Sequence, residues 1–262
     1  MSDGPECVWE LGAELGEGPV WLGDALWFVD IKGLKVHRFT PATGERKSWT
    51  APAQPGFIVP TAAGGWIAGL KTGLHSFDPA NGRFELMTAV EDASLGNRLN
   101  DGYVDAKGRL WFGSMHDGET NETGALYRLD DGGLRRCDTG YCITNGPAMS
   151  PDGRTLYHTD TLKKVTYAFD VAANGELSGK RTFVTYEVGN PDGPAVDAEG
   201  CVWTSLFGGW GVQRYSPAGE ALEFVRLPCS NITKIAFGGP DLATAYATTA
   251  WKNLTPAQRA ER

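Results

Sequence analysis

The chain has 262 residues, of which 21% are charged and 41% hydrophobic, values that are ordinary for a soluble globular protein. Its net charge of −8 argues against binding to nucleic acid, because phosphate contacts require clustered Lys and Arg. No run reaches the roughly 18 to 20 apolar residues of a membrane span. The 35 Gly and 9 Trp, with few long apolar helical runs, favour an all-β chain with many tight turns.

The N-terminus and the cysteines indicate the cellular compartment. Residues 1–9 contain no basic stretch followed by an apolar core, so we expect no signal peptide. The five Cys are odd in number and scattered, and they form neither a CxxC pair nor a disulfide framework. The sequence therefore predicts reduced thiols and a cytoplasmic protein.

One short unit recurs six times along the chain. In each copy a strand with an aromatic residue follows a tight turn, and the aromatic stands at positions 27, 66, 111, 157, 203 and 246. Further short strands follow each copy, and four strands in about 40 to 45 residues are typical of a propeller blade. The repeat therefore predicts a six-bladed β-propeller with four-stranded antiparallel blades, as a single domain over residues 1–262. We expect the recurring aromatic residues to pack between blades.

The sixth unit is incomplete in sequence. It contains two strands, Ile232–Phe237 and Ala245–Thr249, and then Asn253–Arg262 turns polar and helix-prone. The Cys7–Leu11 run precedes the first unit, and we expect it to serve as the outer strand of the last blade and close the ring. An open edge there would be an aggregation liability, because its backbone groups are unpaired.

Polar side chains open several of the strands that would line the channel. In a propeller the first strand of every blade lines the axis, and all of these strands start at the same end. Four of the six begin with an acid or amide that is followed by Gly or Asp-Gly: Glu17, Asn100, Asn145 and Asp192. The Gly allows a tight bend, so we expect the polar side chains to point to the axis. Asn-Gly and Asp-Gly are otherwise simple turn residues, as at Asp152-Gly153.

Glu17, Asn145 and Asp192 are therefore expected to converge. Two carboxylates within about 4 Å repel by roughly 4 kcal/mol at an effective dielectric near 20, so the pair either shares a proton or binds a cation. An amide oxygen beside them completes a set of hard ligands that favours a divalent metal ion. Three protein ligands leave positions open for water and substrate, as in a catalytic site.

Four motifs carry a resemblance to a known family. They are Leu15–Pro19, Arg98–Gly102, Thr144–Pro147 with Ser150–Gly153, and Pro191–Gly193. In this order they resemble the senescence marker protein/gluconolactonase/regucalcin-like family, and in particular its bacterial sugar-acid lactonases such as xylonolactonases. The resemblance implies a six-bladed propeller in which the residues at Glu17, Asn145 and Asp192 hold one divalent metal. It spans nearly the whole chain, but the closing C-terminal strand of the family is missing.

The resemblance also implies substrate contacts. The family residues that match Arg98 and Asn100 contact substrate, and the one at Asn100 also lies near the metal. Some relatives place a substrate-contacting Glu after the motif that reads Gly113–Glu119 here, which makes Glu119 a substrate-binding candidate. Apart from the resemblance, His116 follows a second strand, and we expect it on a loop over the site as a further substrate-binding candidate.

Together these residues predict a metal-dependent sugar lactonase, a carboxylic ester hydrolase that acts on an aldonolactone such as xylonolactone or gluconolactone. The metal would polarise the lactone carbonyl and stabilise the oxyanion as water adds. By resemblance Asp192 is the general base, while a metal-bound hydroxide is the competing source of the nucleophile. Oxygen ligands fit calcium, magnesium, manganese and iron(II) and also allow zinc, and the likeness to xylonolactonases implies iron(II).

Two alternatives stay open at this point. A phosphotriesterase-like hydrolase would use the same metal geometry with different pocket walls. A non-enzymatic calcium-binding propeller would bind metal tightly without lactone turnover. The expected partner is a small-molecule sugar lactone, with no nucleic-acid or membrane partner, and we expect a monomer.

Overall fold

The computed structural model describes residues 4–260, and almost all of its regular elements are short strands. Consecutive strands pair antiparallel, because the turns between them are short and rich in Gly, Asp and Asn. No helix among these residues is long and apolar enough to cross a membrane.

Five sheets contain four strands each. The first has β1 (Gly16–Leu22), β2 (Ala25–Asp30), β3 (Lys35–Thr40) and β4 (Glu45–Thr50). The second has β5 (Pro55–Pro60), β6 (Trp66–Leu70), β7 (Gly73–Asp78) and β8 (Arg83–Thr88). After a 3₁₀ turn at Ala93–Leu95, the third has β9 (Asn97–Val104), β10 (Leu110–His116), β11 (Gly124–Asp130) and β12 (Gly133–Tyr141).

The fourth sheet has β13 (Thr144–Met149), β14 (Thr155–Asp160), β15 (Val165–Val171) and β16 (Leu177–Thr185). The fifth has β17 (Asn190–Val196), β18 (Val202–Phe207), β19 (Gly211–Tyr215) and β20 (Ala221–Arg226). A two-stranded sheet of β21 (Ile232–Gly238) and β22 (Thr244–Thr249) follows, and then the short helix α1 (Pro256–Ala260).

The first strand of each sheet lies innermost. Each of these inner strands packs against the next one along the chain, and β21 packs against β1, which closes the ring. The all-β propeller class is therefore confirmed. The prediction of six blades is wrong, since residues 4–260 form five four-stranded blades. The sixth unit, which the sequence predicts to be incomplete, forms a two-stranded sheet in the remaining place. The residues after β22 do not add a strand to it, because they are polar and turn into α1.

The N-terminal run also departs from its prediction. Cys7–Leu11 forms no strand, so it does not complete the last sheet. Instead, Trp9 lies edge-on to Phe28 with 5.7 Å between ring centroids. Arg46 Nη2 of β4 donates to Val8 O at 2.7 Å. Aromatic burial against the first blade thus takes precedence over strand pairing in this run.

The hydrophobic core is divided among the spaces between neighbouring blades. Trp27 of the first blade meets Trp66 of the second, with 4.5 Å between ring centroids. Trp111 of the third blade is fully buried in a cluster with Leu156 and Phe169 of the fourth. The recurring aromatic residue at these positions is therefore packing between blades, as predicted.

All six inner strands carry a register irregularity near their start. In β1 it falls between Glu17 and Val20, and in β13 between Asn145 and Ala148. Such bulges interrupt the ladder and re-aim side chains. Gly18 and Gly146 follow the polar residue with φ of 54° and 77°, a left-handed conformation that Gly adopts without strain. The bulge therefore presents the polar residue at the axis.

Candidate functional site

Two carboxyl groups meet at the axis. Glu17 of β1 and Asp192 of β17 are both buried, and their carboxyl groups lie close enough to share a hydrogen bond. Each is also fixed by the amide that follows it: Gly18 N donates to Glu17 Oε2 at 2.8 Å, and Gly193 N donates to Asp192 Oδ1 at 3.0 Å. The glycine after each acid thus holds the carboxyl in place.

Burial and mutual repulsion change the acidity of this pair. Burial, with the charge of Asp101, raises the pKa of Glu17 to about 7. Burial and the neighbouring charge of Glu17 raise the pKa of Asp192 well above its ordinary value. The two groups therefore retain a proton near neutral pH unless a cation compensates their charge.

Asn145 joins the pair through a chain of hydrogen bonds. Asn145 Nδ2 donates to Thr161 Oγ1 at 2.7 Å, and that hydroxyl donates to Pro191 O at 2.8 Å, next to Asp192. Asn100 Nδ2 donates to Asn145 Oδ1 at 2.8 Å. These bonds fix the orientation of the amide and leave one lone pair of Oδ1 for another partner.

The donor set fits a divalent cation. Glu17 and Asp192 offer carboxylate oxygens that repel each other, and Asn145 offers a neutral oxygen whose orientation is fixed. Hard oxygen donors of this kind suit calcium, magnesium, manganese or iron(II). The roles assigned to these three residues from the sequence stay predictions.

A buried ion pair that the sequence reasoning missed lies beside the acids. Lys234 Nζ of β21 donates to both carboxylate oxygens of Asp101 in β9, each at 2.7 Å. Asp101 Oδ2 also accepts from Gly146 N at 2.9 Å. Both residues lie at the register irregularity of an inner strand, in Asn100-Asp101-Gly102 and Thr233-Lys234-Ile235, so this shared strand position is the signal that could have found them. Because Lys234 is engaged by Asp101, it only partly offsets the charge of Glu17.

The channel changes character beyond this ion pair. A cavity of about 270 Å³ continues along the axis and is lined by all six inner strands. Its walls are mainly apolar side chains, among them Val59, Tyr103, Met149 and Ile235, and Lys234 is the charged residue at its edge. The polar groups are thus concentrated at the end where the inner strands begin.

Arg98 and Asn100 are held together next to Asn145. Arg98 Nη1 donates to Asn100 Oδ1 at 2.5 Å and to Leu99 O at 3.3 Å. Both side chains are buried, and Arg98 lies within electrostatic range of Glu17. The structure therefore brings both predicted substrate residues to the polar end of the channel, where they orient Asn145.

The other two predicted substrate residues lie on the long β10–β11 connection. Glu119 Oε1 accepts from Lys252 Nζ, which joins this third-blade loop to the segment after β22 on the opposite side of the ring. His116 ends β10, and its Nδ1 contacts Thr120 Oγ1 at 3.1 Å. Glu119 thus reaches across the mouth, whereas the His116 ring is engaged within its own loop.

Asp117, on the same connection, accepts hydrogen bonds from three cationic side chains. Its Oδ1 accepts from Lys32 Nζ at 2.9 Å and from Arg98 Nε at 3.2 Å, and its Oδ2 accepts from Lys71 Nζ at 2.9 Å. Lys32 and Lys71 come from the connections β2–β3 and β6–β7. Three blades are therefore linked at one carboxylate beside the channel mouth.

A second acidic cluster lies in the fifth blade. Ligand-type atoms of Asp197, Glu199 and Cys201 all lie within 4.8 Å of one another. Arg214 Nη2 donates to Asp197 Oδ2 at 2.7 Å and to Glu199 Oε2 at 2.5 Å. Trp203 Nε1 donates to the same Asp197 oxygen at 2.9 Å. Because Arg214 already supplies the positive charge, this cluster carries no metal assignment.

Comparisons with known proteins find a matching family model, relatives similar in sequence and solved structures of similar fold. The family model described as SMP-30/Gluconolactonase/LRE-like region matches residues 15–251. The 6-deoxy-6-sulfogluconolactonase of Pseudomonas putida is 32% identical over 267 residues, which cover 100% of this chain and 92% of that protein. A solved calcium-binding protein, regucalcin, from Agrobacterium tumefaciens matches with a TM-score of 0.92 at 28% identity, over 97% of this chain and 88% of that chain. A gluconolactonase from Xanthomonas campestris matches with a TM-score of 0.79 at 25% identity, over 91% and 84%.

Proposed function

The chain belongs to the SMP-30/gluconolactonase/LRE-like family, and on this basis we propose that it hydrolyses a sugar lactone with the help of one divalent metal ion. Membership of this gluconolactonase-like family supports sugar lactone hydrolysis in general, and relatives are named as lactonases. The metal requirement, the residue roles and an aldonolactone as substrate are our proposal.

One observation carries it: two buried carboxyl groups face each other at the axis. Glu17 and Asp192 share a hydrogen bond and have raised pKa values, because burial and repulsion disfavour their charged forms. Lys234 is bound to Asp101 and compensates them only in part. A divalent cation held by Glu17, Asp192 and Asn145 Oδ1 would balance both charges.

When bound, the cation supplies a positive charge that polarises the lactone carbonyl. The residues of the chain transfer the proton and orient the groups of the site. Asp192 takes a proton from the attacking water as the new carbon–oxygen bond forms, and the same proton passes to the ring oxygen as the ring bond breaks. Arg98 and Asn100 orient the Asn145 amide and offer polar contacts to sugar hydroxyls. The product is the open-chain hydroxy acid.

The test is lactone hydrolysis by protein that has been stripped with a chelator, with each divalent metal added back in turn. We expect no turnover above the uncatalysed rate in the stripped protein and recovery with at least one of calcium, magnesium, manganese, iron(II) or zinc. Full activity in the stripped protein would contradict the metal requirement.

A calcium-binding role without turnover is the second candidate, since a similar solved structure is described as a calcium-binding protein. It predicts that calcium raises the melting temperature while xylonolactone and gluconolactone are not hydrolysed with any metal. Paraoxon serves as a further probe, since turnover of paraoxon alone would indicate a phosphotriesterase.

A further inference from the structure

The direct ion pairs at the channel mouth contain more cations than carboxylates. Asp117 accepts from Lys32, Lys71 and Arg98, so one negative charge stands against three positive ones. The adjacent carboxylate, Glu119, is already bound to Lys252. In these direct ion pairs four cations therefore face two carboxylates, a local excess of two positive charges in a protein whose net charge is −8.

The acidity of Asp117 agrees with this surplus. Burial alone would raise its pKa, but the hydrogen bonds from Lys32 and Lys71 and the charge of Arg98 hold the pKa of Asp117 well below its ordinary value. The carboxylate stays ionised at any working pH, and its single charge cannot neutralise all three partners.

Two of the three cations are accessible to a ligand. The Lys71 side chain is 42% exposed and that of Lys32 is 22% exposed, whereas Arg98 is only 2% exposed. Arg98 is committed to Asp117 and Asn100, which places the lysines next to the residues that lead to Asn145. The ammonium groups thus stand at the outer end of a continuous polar path into the channel.

We propose that Lys32 and Lys71 form a subsite for an anionic group on the lactone, at the end of the sugar chain remote from the ring carbonyl. The inference rests on the proposed function, in which the carbonyl lies beside Glu17 and Asp192. The ligand class is a sugar lactone that carries a phosphate or a sulfonate, since both offer several oxygens to two ammonium donors. No bond of this group changes in the reaction.

The charge balance supports such a ligand. A divalent cation would neutralise Glu17 and Asp192, and Lys234 is balanced by Asp101. The excess of two positive charges in the ion pairs around Asp117 and Glu119 then remains. An anionic substituent would neutralise this surplus, whereas a neutral aldonolactone would leave it in place.

The experiment compares kcat/KM for three lactones with the metal-loaded full chain: glucono-1,5-lactone, its 6-phosphate and its 6-deoxy-6-sulfonate. We expect at least one anionic lactone to be preferred over the neutral one by about tenfold or more. The preference should fall about tenfold in Lys71→Met and further in the Lys32→Met/Lys71→Met double variant, and Lys71→Arg should restore most of it. Raising the salt concentration should lower kcat/KM for the anionic lactone more than for the neutral one.

Lys163→Met is the matched control. Lys163 lies on the β14–β15 connection at the same end of the ring, but its Nζ donates to Glu122 Oε2 at 2.8 Å and to Gly140 O at 2.7 Å. Its loss changes the net charge of the protein equally, so the ratio between anionic and neutral lactones should stay unchanged. A fall as large as that in Lys71→Met would overturn the subsite in favour of a general charge effect.

The remaining outcomes separate the two proposals. Equal or faster hydrolysis of the neutral lactone, with a ratio that Lys71→Met does not change, overturns the anion subsite and leaves the lactonase intact. If no lactone is hydrolysed, the anion subsite is tested by comparing the melting temperature of the protein with 6-phosphogluconate and with gluconate. A stabilisation by 6-phosphogluconate alone that is lost in Lys71→Met supports the subsite even though the lactonase proposal has failed, and equal responses overturn both.

Discussion

The two acidic clusters of this molecule have similar composition and opposite electrostatics. In the fifth blade, Asp197 and Glu199 lie against Arg214. Hydrogen bonds from Trp203 and Arg214 hold the pKa of Asp197 below its ordinary value against the opposing effect of burial. At the axis, Glu17 and Asp192 lie against each other, and their pKa values are raised. The number of carboxylates therefore does not identify a cation site. What distinguishes the axial cluster is that, among residues 4–260, no cation forms an ion pair with its carboxylates, and Lys234 offsets the charge of Glu17 only in part.

The largest expected effect is on turnover. Asp192→Asn removes a charged ligand and the proposed base together, so we expect kcat/KM for the lactone substrate to fall by about 10³-fold or more. Asp197→Asn, which alters the other cluster in the same way, should stay within about twofold of wild type. Steady-state kinetics on both variants, with circular dichroism as a folding control, tests this. Near-wild-type turnover in Asp192→Asn would remove the functional distinction between the clusters.

The next effect is on thermal stability with added metal. A cation that binds the folded state adds about 2.7 kcal/mol at 100 times its Kd, or roughly 5 to 10 °C in Tm for a chain of this size. We expect this shift in wild type and in Asp197→Asn, and none in the double variant Glu17→Gln/Asp192→Asn. A shift that survives the double variant would place the cation elsewhere.

A smaller effect concerns pH in the metal-free protein. The pKa of Glu17 is raised to about 7 in the folded state against 4.5 unfolded, so the folded state binds the extra proton between these values. Stability should therefore decrease as pH rises from about 4.5 to 7, by at most about 1.4 kcal/mol per pH unit for this group. Saturating divalent metal should abolish this trend. Urea unfolding at pH 5 and pH 7 measures it, with Glu17→Gln/Asp192→Asn as the control that lacks the slope.

The smallest expected effect is on stability in the fifth-blade cluster, whose carboxylates are paired with Arg214. Asp197→Asn weakens its hydrogen bonds with Arg214 and Trp203, and we expect a loss of about 1 kcal/mol, or roughly 2 to 4 °C in Tm. The loss should be the same with and without metal. If it grows when metal is added, this cluster binds a cation after all.

Much of the fold followed from the sequence, because one unit repeated with its aromatic residue in register. The failures lie at the two ends of the chain, where the repeat stops. Cys7–Leu11 has strand-like composition, yet the burial of Trp9 against Phe28 decides its path. Such a choice between packing and pairing depends on tertiary neighbours, which a local pattern does not contain.

The candidate site was predictable in part for the same reason. Glu17, Asn145 and Asp192 could be found because each opens an inner strand. Lys234 and Asp101 occupy equivalent places, but they pair across 133 residues of sequence and across the ring. The three partners of Asp117 likewise come from three blades. Strand order predicts which residues share an end of the channel, whereas side-chain direction and charge balance required coordinates.

The bulge near the start of every inner strand has a consequence for evolution. Since the bulged residues lie outside the regular ladder, an exchange there alters what the channel displays without shifting any strand against its neighbour. Each inner strand thus has a bulged position at which the side chain can be exchanged while strand pairing is kept. The chemistry of the channel can therefore change one residue at a time. The residues that determine the fold are therefore different from those that determine the chemistry of the channel.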